Sequence, residues 1–125
     1  MGPILVVEDD HDVQSSLVEV LEDEGYTVAT ADDGAEALAY LRVASILPRL
    51  IVLDIMMPRM DGLQFRAAQS SDPILAKIPV AVVTADERAA RKAAALGVDG
   101  HLRKPVQLDV LLTLVARLAG KPSQR

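Results

Sequence analysis

Cysteine is absent from the 125 residues, which excludes disulfides, thiolate metal sites and thiol nucleophiles. Aromatics are scarce: only Tyr26, Tyr40 and Phe65 are present, too few to form stacking platforms for single-stranded nucleic acid. Basic residues are outnumbered, 13 against 18 acids, and the net charge of -5 opposes autonomous binding to a phosphate backbone. The two histidines, His11 and His101, cannot make a zinc site by themselves. No run is long and apolar enough for a membrane span. The first apolar run ends at Glu8, Asp9 and Asp10, too soon and with the wrong flanks for a signal peptide. A myristoylation reading of Met1-Gly2 fails at Val6, where Ser or Thr is expected. The expectation is a soluble, cytoplasmic chain with no membrane and no direct nucleic-acid partner.

What the chain does have is aliphatic bulk. Half of its residues are hydrophobic, and a single domain of this size buries roughly two-thirds of its unfolded surface. Five short apolar runs read as strands: Ile4–Val7, Tyr26–Thr30, Leu50–Leu53, Pro79–Val83 and Gly100–Leu102. Three are almost continuously apolar, as parallel strands covered on both faces are. Between them lie helical patterns. Val13, Leu17, Val20 and Leu21 form one stripe, stopped by Gly25. Asp33 and Glu36 resemble a capping pair for a helix from Ala35, ending before Pro48. Further helices are expected over Leu63–Gln69, over Glu87–Leu96 with a stop at Gly97, and from Leu108 to near Gly120. Residues 1–120 then form one domain and Lys121–Arg125 a short polar tail. Strict β-α alternation implies a parallel sheet with right-handed crossovers and helices on both faces. In such sheets the functional crevice lies beyond the carboxyl ends of the strands.

That rule gathers Glu8, Asp9 and Asp10 after the first strand, Asp54 after the third, Thr84 after the fourth and Lys104-Pro105 after the fifth. Carboxylates crowded into one crevice are pushed toward protonation unless a cation sits among them. Magnesium suits the place, since it takes one or two carboxylates, keeps waters and completes its shell with phosphate oxygens. Taken singly, each residue has a plainer explanation. Asp10 or Asp12 would cap the next helix, Thr84 would be a cap before Asp86-Glu87, Lys104 a solvated charge and His11 a solvated residue at the mouth of the first loop. Their convergence at four strand ends outweighs those separate readings.

Val6-Val7-Glu8-Asp9-Asp10, the segment Asp54-Ile55-Met56-Met57-Pro58-Arg59-Met60-Asp61-Gly62, Thr84-Ala85 and Lys104-Pro105 occur in order over nearly the whole chain. This pattern resembles the receiver domain of two-component response regulators. The resemblance implies a flavodoxin-like (βα)5 doubly wound sandwich, with a five-stranded parallel sheet of order 2-1-3-4-5. It also implies that Asp54 is the phosphoacceptor, served by a sensor histidine kinase or a histidine phosphotransfer protein. Glu8, Asp9 and Asp54, with the backbone carbonyl of Met56, would hold Mg2+, for which Mn2+ can substitute. Lys104 would neutralise phosphoryl charge and the Thr84 hydroxyl would register the phosphoryl group. Lys104-Pro105 would be cis. The chain would act as a switch, catalysing nothing beyond its own phosphorylation and dephosphorylation. It would change its affinity for a downstream protein through the Glu87–Leu118 face. The lack of an effector segment after the last helix suggests a stand-alone regulator.

Two positions depart from that pattern. His101 stands where receivers carry Tyr or Phe, the ring that turns inward when the threonine moves, and Val98 stands where alanine is usual. Met57, Pro58, Met60 and Gly62 read as loop geometry and packing. Three rivals remain on the same or similar chemistry. A phosphatase of the haloacid dehalogenase type needs a second acid two positions after the nucleophile, where this chain has Met56. A flavodoxin-like electron carrier needs a Ser/Thr/Gly-rich phosphate loop where this chain has three acids. A receiver working unphosphorylated typically loses part of a set that is complete here. Fold alone does not separate these readings; the site residues do.

Overall fold

The computed structural model describes residues 2–122. The strands are β1 (Ile4–Val7), β2 (Val28–Ala31), β3 (Leu50–Asp54), β4 (Val80–Thr84) and β5 (Gly100–Arg103). The helices are α1 (His11–Asp23), α2 (Gly34–Val43), α3 (Gly62–Ser70), α4 (Glu87–Ala95) and α5 (Leu108–Ala119). All pairings are parallel and the sheet order is β2-β1-β3-β4-β5. This is the flavodoxin-like arrangement expected from the sequence.

The period of two along each strand divides the apolar residues between two layers. Leu5, Val7, Ile51, Leu53, Val80 and Val82 meet Ala37, Leu38, Leu41, Phe65, Ala89 and Ala93 of α2, α3 and α4. Ile4, Val6, Leu50, Val52, Ala81, Val83 and Leu102 meet Leu17, Leu21, Leu111, Leu114 and Val115 of α1 and α5. Both faces are therefore dry, which explains why β1, β3 and β4 carry almost unbroken apolar runs. Strand order reverses at β1, so the crevice lies beyond the ends of β1 and β3.

Some boundaries differ from the expected ones for identifiable reasons. Tyr26 is not a strand residue, because its N–H donates to Leu21 O at 3.1 Å in the turn that ends α1. Gly25 enters that turn at φ +104, where a side chain would be strained. Pro79 lacks an N–H and β4 begins one residue later, running on to Thr84. The Asp33–Glu36 pair caps α2 with a shift: Asp33 Oδ1 accepts from Glu36 N at 2.9 Å, while Glu36 Oε1 accepts from Asp32 N at 2.9 Å. A complete capping box occurs instead on α3, between Asp61 and Gln64. A single 3-10 turn at Leu75–Lys77 precedes β4 and has no periodic signature in the sequence.

Candidate functional site

Asp54 is the last residue of the central strand and is 2 % exposed. Its Oδ1 accepts from Met56 N at 3.3 Å, so the strand hands directly into a tight loop. That loop closes where Gly62 N donates to Ile55 O at 2.9 Å. A Cβ on Gly62 would lie 2.7 Å from Ile55 Cα and 2.8 Å from Asp54 O, so only glycine fits. Glu8, just past β1, is also 2 % exposed. Its Oε2 accepts from Asp10 N at 3.1 Å, and its Oε1 is buried without a hydrogen-bond donor. Asp9 is exposed at the rim, and carboxylate oxygens of Glu8, Asp9 and Asp54 all lie within 4.8 Å of one another.

Lys104 reaches into this cluster from the end of β5, with Nζ 3.4 Å from Glu8 Oε1 and 3.4 Å from Asp54 Oδ1. It is placed by its own backbone, which donates to Thr84 O at 3.1 Å, and the following Lys104–Pro105 peptide is cis. Thr84 is buried at the end of β4, and its Oγ1 accepts from Asp86 N at 3.1 Å. Asp86 in turn caps α4 through the N–H groups of Arg88 and Ala89.

Three carboxylates facing one ammonium leave an excess of negative charge in a largely dry place. Burial, and then the adjacent Glu8 charge, push the Asp54 carboxyl up to about 7 against the pull of Lys104. Burial works against the Lys104 cation as well, but Asp54 and Glu8 more than offset it and raise its pKa. An aspartate that is to be ionised at neutral pH in this place therefore needs a counter-cation, as the crowding of carboxylates in the sequence implied. The residues fit a hard dication: oxygen donors only, a buried Glu8 Oε1 that no hydrogen bond satisfies and only the Lys104 ammonium faces, and excess negative charge to balance.

A protein-family model, "Response regulator receiver domain", matches residues 4–116. The chain belongs to that family. Receivers are the phosphorylation-activated switches of two-component signalling, and they bind Mg2+ at an acidic site. The response regulator MprA of Mycobacterium ulcerans is 43% identical over 118 residues, which is 92% of this chain and 49% of that protein. The chain thus spans about half the length of the curated relatives it matches. Among solved structures, the receiver domain of a histidine kinase from Syntrophus aciditrophicus has a TM-score of 0.87 at 34% identity. That match covers 95% of this chain and 90% of the other. The chemotaxis protein CheY4 of Vibrio cholerae has a TM-score of 0.85 at 31% identity, covering 94% of this chain and 98% of that one.

This receiver brings Glu8, Asp9, Asp54, Met56, Thr84 and Lys104 to one end of its sheet, and leaves His101 elsewhere. His101 is exposed on β5, beside a shallow groove shared with Asp109, Val110, Thr113 and Arg117 of α5. His11 starts α1 and lies 3.2 Å from Asp32, both well exposed. Asp10, as expected, caps α1 through the N–H groups of Asp12 and Val13.

Two supporting residues escaped sequence reasoning. Gln14 Nε2 donates to Glu8 O at 2.9 Å, Ala31 O at 3.3 Å and Asp32 Oδ1 at 3.0 Å, tying α1 to the ends of β1 and β2. Arg59 donates from Nε to Asp33 Oδ2 at 2.7 Å, with Nη2 on the same oxygen. The Glu36 N–H holds the Asp33 carboxyl below its usual range against the cost of burial, and Arg59 adds to the effect. A polar residue on an otherwise apolar helix flank was the available signal for Gln14. For Arg59 the partner lies 26 residues away, and nothing local announces it.

Proposed function

We propose that this receiver accepts a phosphoryl group on Asp54 from a sensor histidine kinase or a histidine phosphotransfer protein. One observation carries the reading: the acceptor carboxylate is buried at the central strand end beside the buried Glu8 carboxylate, with one ammonium 3.4 Å from both acids. An Asp54 oxygen attacks phosphorus, and the P–N bond to the donor imidazole breaks as its electron pair returns to the ring. Glu8, Asp9 and Asp54 with the Met56 carbonyl would hold Mg2+, or Mn2+ in its place. The ion supplies neutralisation of phosphoryl charge and lets Asp54 remain ionised. Lys104 exchanges its carboxylate partners for phosphoryl oxygens, acting as a point charge. Thr84 offers its hydroxyl to the same group. The reaction needs positioning and charge balance, and no further general base.

In this reading the chain acts on no separate substrate. Its activity is its own phosphorylation and dephosphorylation. Output runs to a downstream protein through the Glu87–Leu118 face, with His101 and Thr84 as the switch positions. Residues 1–120 form the receiver, and Lys121–Arg125 is a tail of which residues 123–125 lie outside those described. Among the described residues no helix is long and apolar enough to cross a membrane. That observation and the charge of -5 support a cytoplasmic setting without nucleic-acid binding. Acetyl phosphate with magnesium tests the acceptor. Wild type gains one base-labile acyl phosphate and Asp54→Asn gains none; undiminished labelling of the variant refutes the assignment.

A further inference from the structure

We propose that Arg59 is a positioning residue for the metal-binding half of the site, holding the loop that presents the Met56 carbonyl. The inference rests on the reading of Glu8, Asp9, Asp54 and Met56 as a magnesium cradle. The loop between β3 and α3 is tied at its ends by Met56 N on Asp54 Oδ1 and by Gly62 N on Ile55 O. Its middle is less secure. Met56 is 63% exposed, Pro58 and Arg59 are exposed, and only Met57 and Met60 lean on the core. What holds the arc is the start of α2. Gly34 N donates to Met60 O at 3.0 Å, and a Cβ on Gly34 would lie 2.7 Å from both Met60 Cγ and Met60 O.

Arg59 supplies the second tether. Both of its guanidinium bonds go to Asp33 Oδ2, while Asp33 Oδ1 is fixed by the first turn of α2. Asp33 is 3% exposed, so its place is set by burial as well as by bonding. The Arg59 backbone sits at φ 62, a left-handed conformation that side-chain-bearing residues rarely adopt. Backbone preference would favour glycine here. What arginine adds is the guanidinium, which draws the loop onto α2. A carbonyl ligand three residues away is useful only if its loop cannot pivot. Mutating a residue that orients a metal ligand typically costs about 10–100-fold in metal affinity or activity.

The test uses wild type, Arg59→Gly, Arg59→Lys and the double variant Arg59→Gly/Asp33→Asn, with Mg2+ titrated calorimetrically into chelator-treated protein. Phosphorylation by acetyl phosphate is then followed across magnesium concentrations. Glycine relieves the left-handed backbone and offsets part of the lost Arg59–Asp33 pair, so Arg59→Gly stays folded without metal, as a melt in chelator checks. Its Mg2+ dissociation constant rises about tenfold. The magnesium needed for half-maximal labelling rises with it, while the labelling rate at saturating magnesium stays within about twofold of wild type. Lysine restores part of the affinity, and adding Asp33→Asn to Arg59→Gly weakens binding no further. An unchanged dissociation constant in Arg59→Gly overturns the inference, as does a lost saturating rate with unchanged binding. If wild type itself binds no Mg2+, the cradle reading falls and takes this one with it. If wild type binds and labels while Arg59→Gly matches it, the clamp alone is refuted.

Discussion

Replacing Asp54 by Asn stabilises the folded protein at neutral pH once divalent cations are chelated. The carboxyl rises from 3.8 to about 7 on folding, because burial and Glu8 both oppose its charge. At about 1.4 kcal/mol per pKa unit the ceiling on this penalty is roughly 4 kcal/mol. Water at the exposed Asp9 rim and partly exposed Lys104 screens the cluster, bringing the working value to roughly 1–3 kcal/mol. The sign follows from the raised folded-state pKa. The group's relative stabilisation is complete below the unfolded value of 3.8, and it is lost as pH climbs through about 7. Asparagine does not titrate, so the variant lacks that slope. For a domain of this size 1 kcal/mol is worth roughly 4 °C in Tm. Thermal melts in EDTA from mildly acidic to mildly alkaline pH then show the variant's advantage widening with pH, to roughly 4–12 °C. Adding magnesium narrows the gap, because the ion binds the folded wild type more tightly. A pH-independent gap, or a variant less stable than wild type at alkaline pH, refutes the electrostatic account of the cluster.

Gly62→Ala places a methyl against Ile55 Cα and Asp54 O, backbone atoms that cannot move aside cheaply. It costs about 1–3 kcal/mol in a denaturant melt and slows Asp54 labelling, and wild-type values for both contradict the close-approach reading. Arg66 is buried on α3, its Nε and Nη2 donating to Leu96 O at 3.0 Å and Gly97 O at 2.9 Å at the end of α4, its Nη1 to Gln69 Oε1 at 2.9 Å. Arg66→Met leaves those acceptors unmatched, at about 1–3 kcal/mol, and speeds amide exchange around Leu96–Val98; unchanged exchange there rules out the cap. For His101, exposed on β5, the proposed switch role predicts that His101→Phe changes the affinity of the beryllofluoride-treated protein for its partner, read in a binding titration against the untreated protein. Equal affinities remove His101 from the output.

The legible part of this molecule was whatever local patterning decides. Continuous apolar runs announced β1, β3 and β4 because both faces of those strands are covered. Chemistry-bearing residues were legible because strand ends in such a sheet converge, whatever the intervening sequence. Contacts across the fold were not. The Tyr26 N–H is consumed by the preceding helix, so a good strand former does not start β2. Nothing local in the sequence marked Arg59 or Arg66. Their roles come from Asp33 and from the α4 carbonyls, which only the tertiary structure brings near.

The alternation of side chains along β3 and β4 also divides the proposed switch between the two layers. Asp54 continues the parity of Leu50 and Val52, which face α1 and α5, whereas Thr84 continues that of Val80 and Val82, which face α2, α3 and α4. In the proposed switch, charge added at Asp54 would arrive on one side of the sheet and be reported on the other. The route available is short. Thr84 O holds Lys104 N at 3.1 Å, and Thr84 Oγ1 holds the N–H of Asp86, whose carboxylate caps α4. Any rotation of the hydroxyl toward a phosphoryl oxygen must weaken its hold on Asp86, and therefore on the first turn of α4. That turn also carries Glu87, paired with Arg103 at the end of β5. The residues that would feel phosphorylation first are consequently the ones that border the proposed output face, and the cap at Asp86 is the link that the proposed switch would use to turn chemistry into movement.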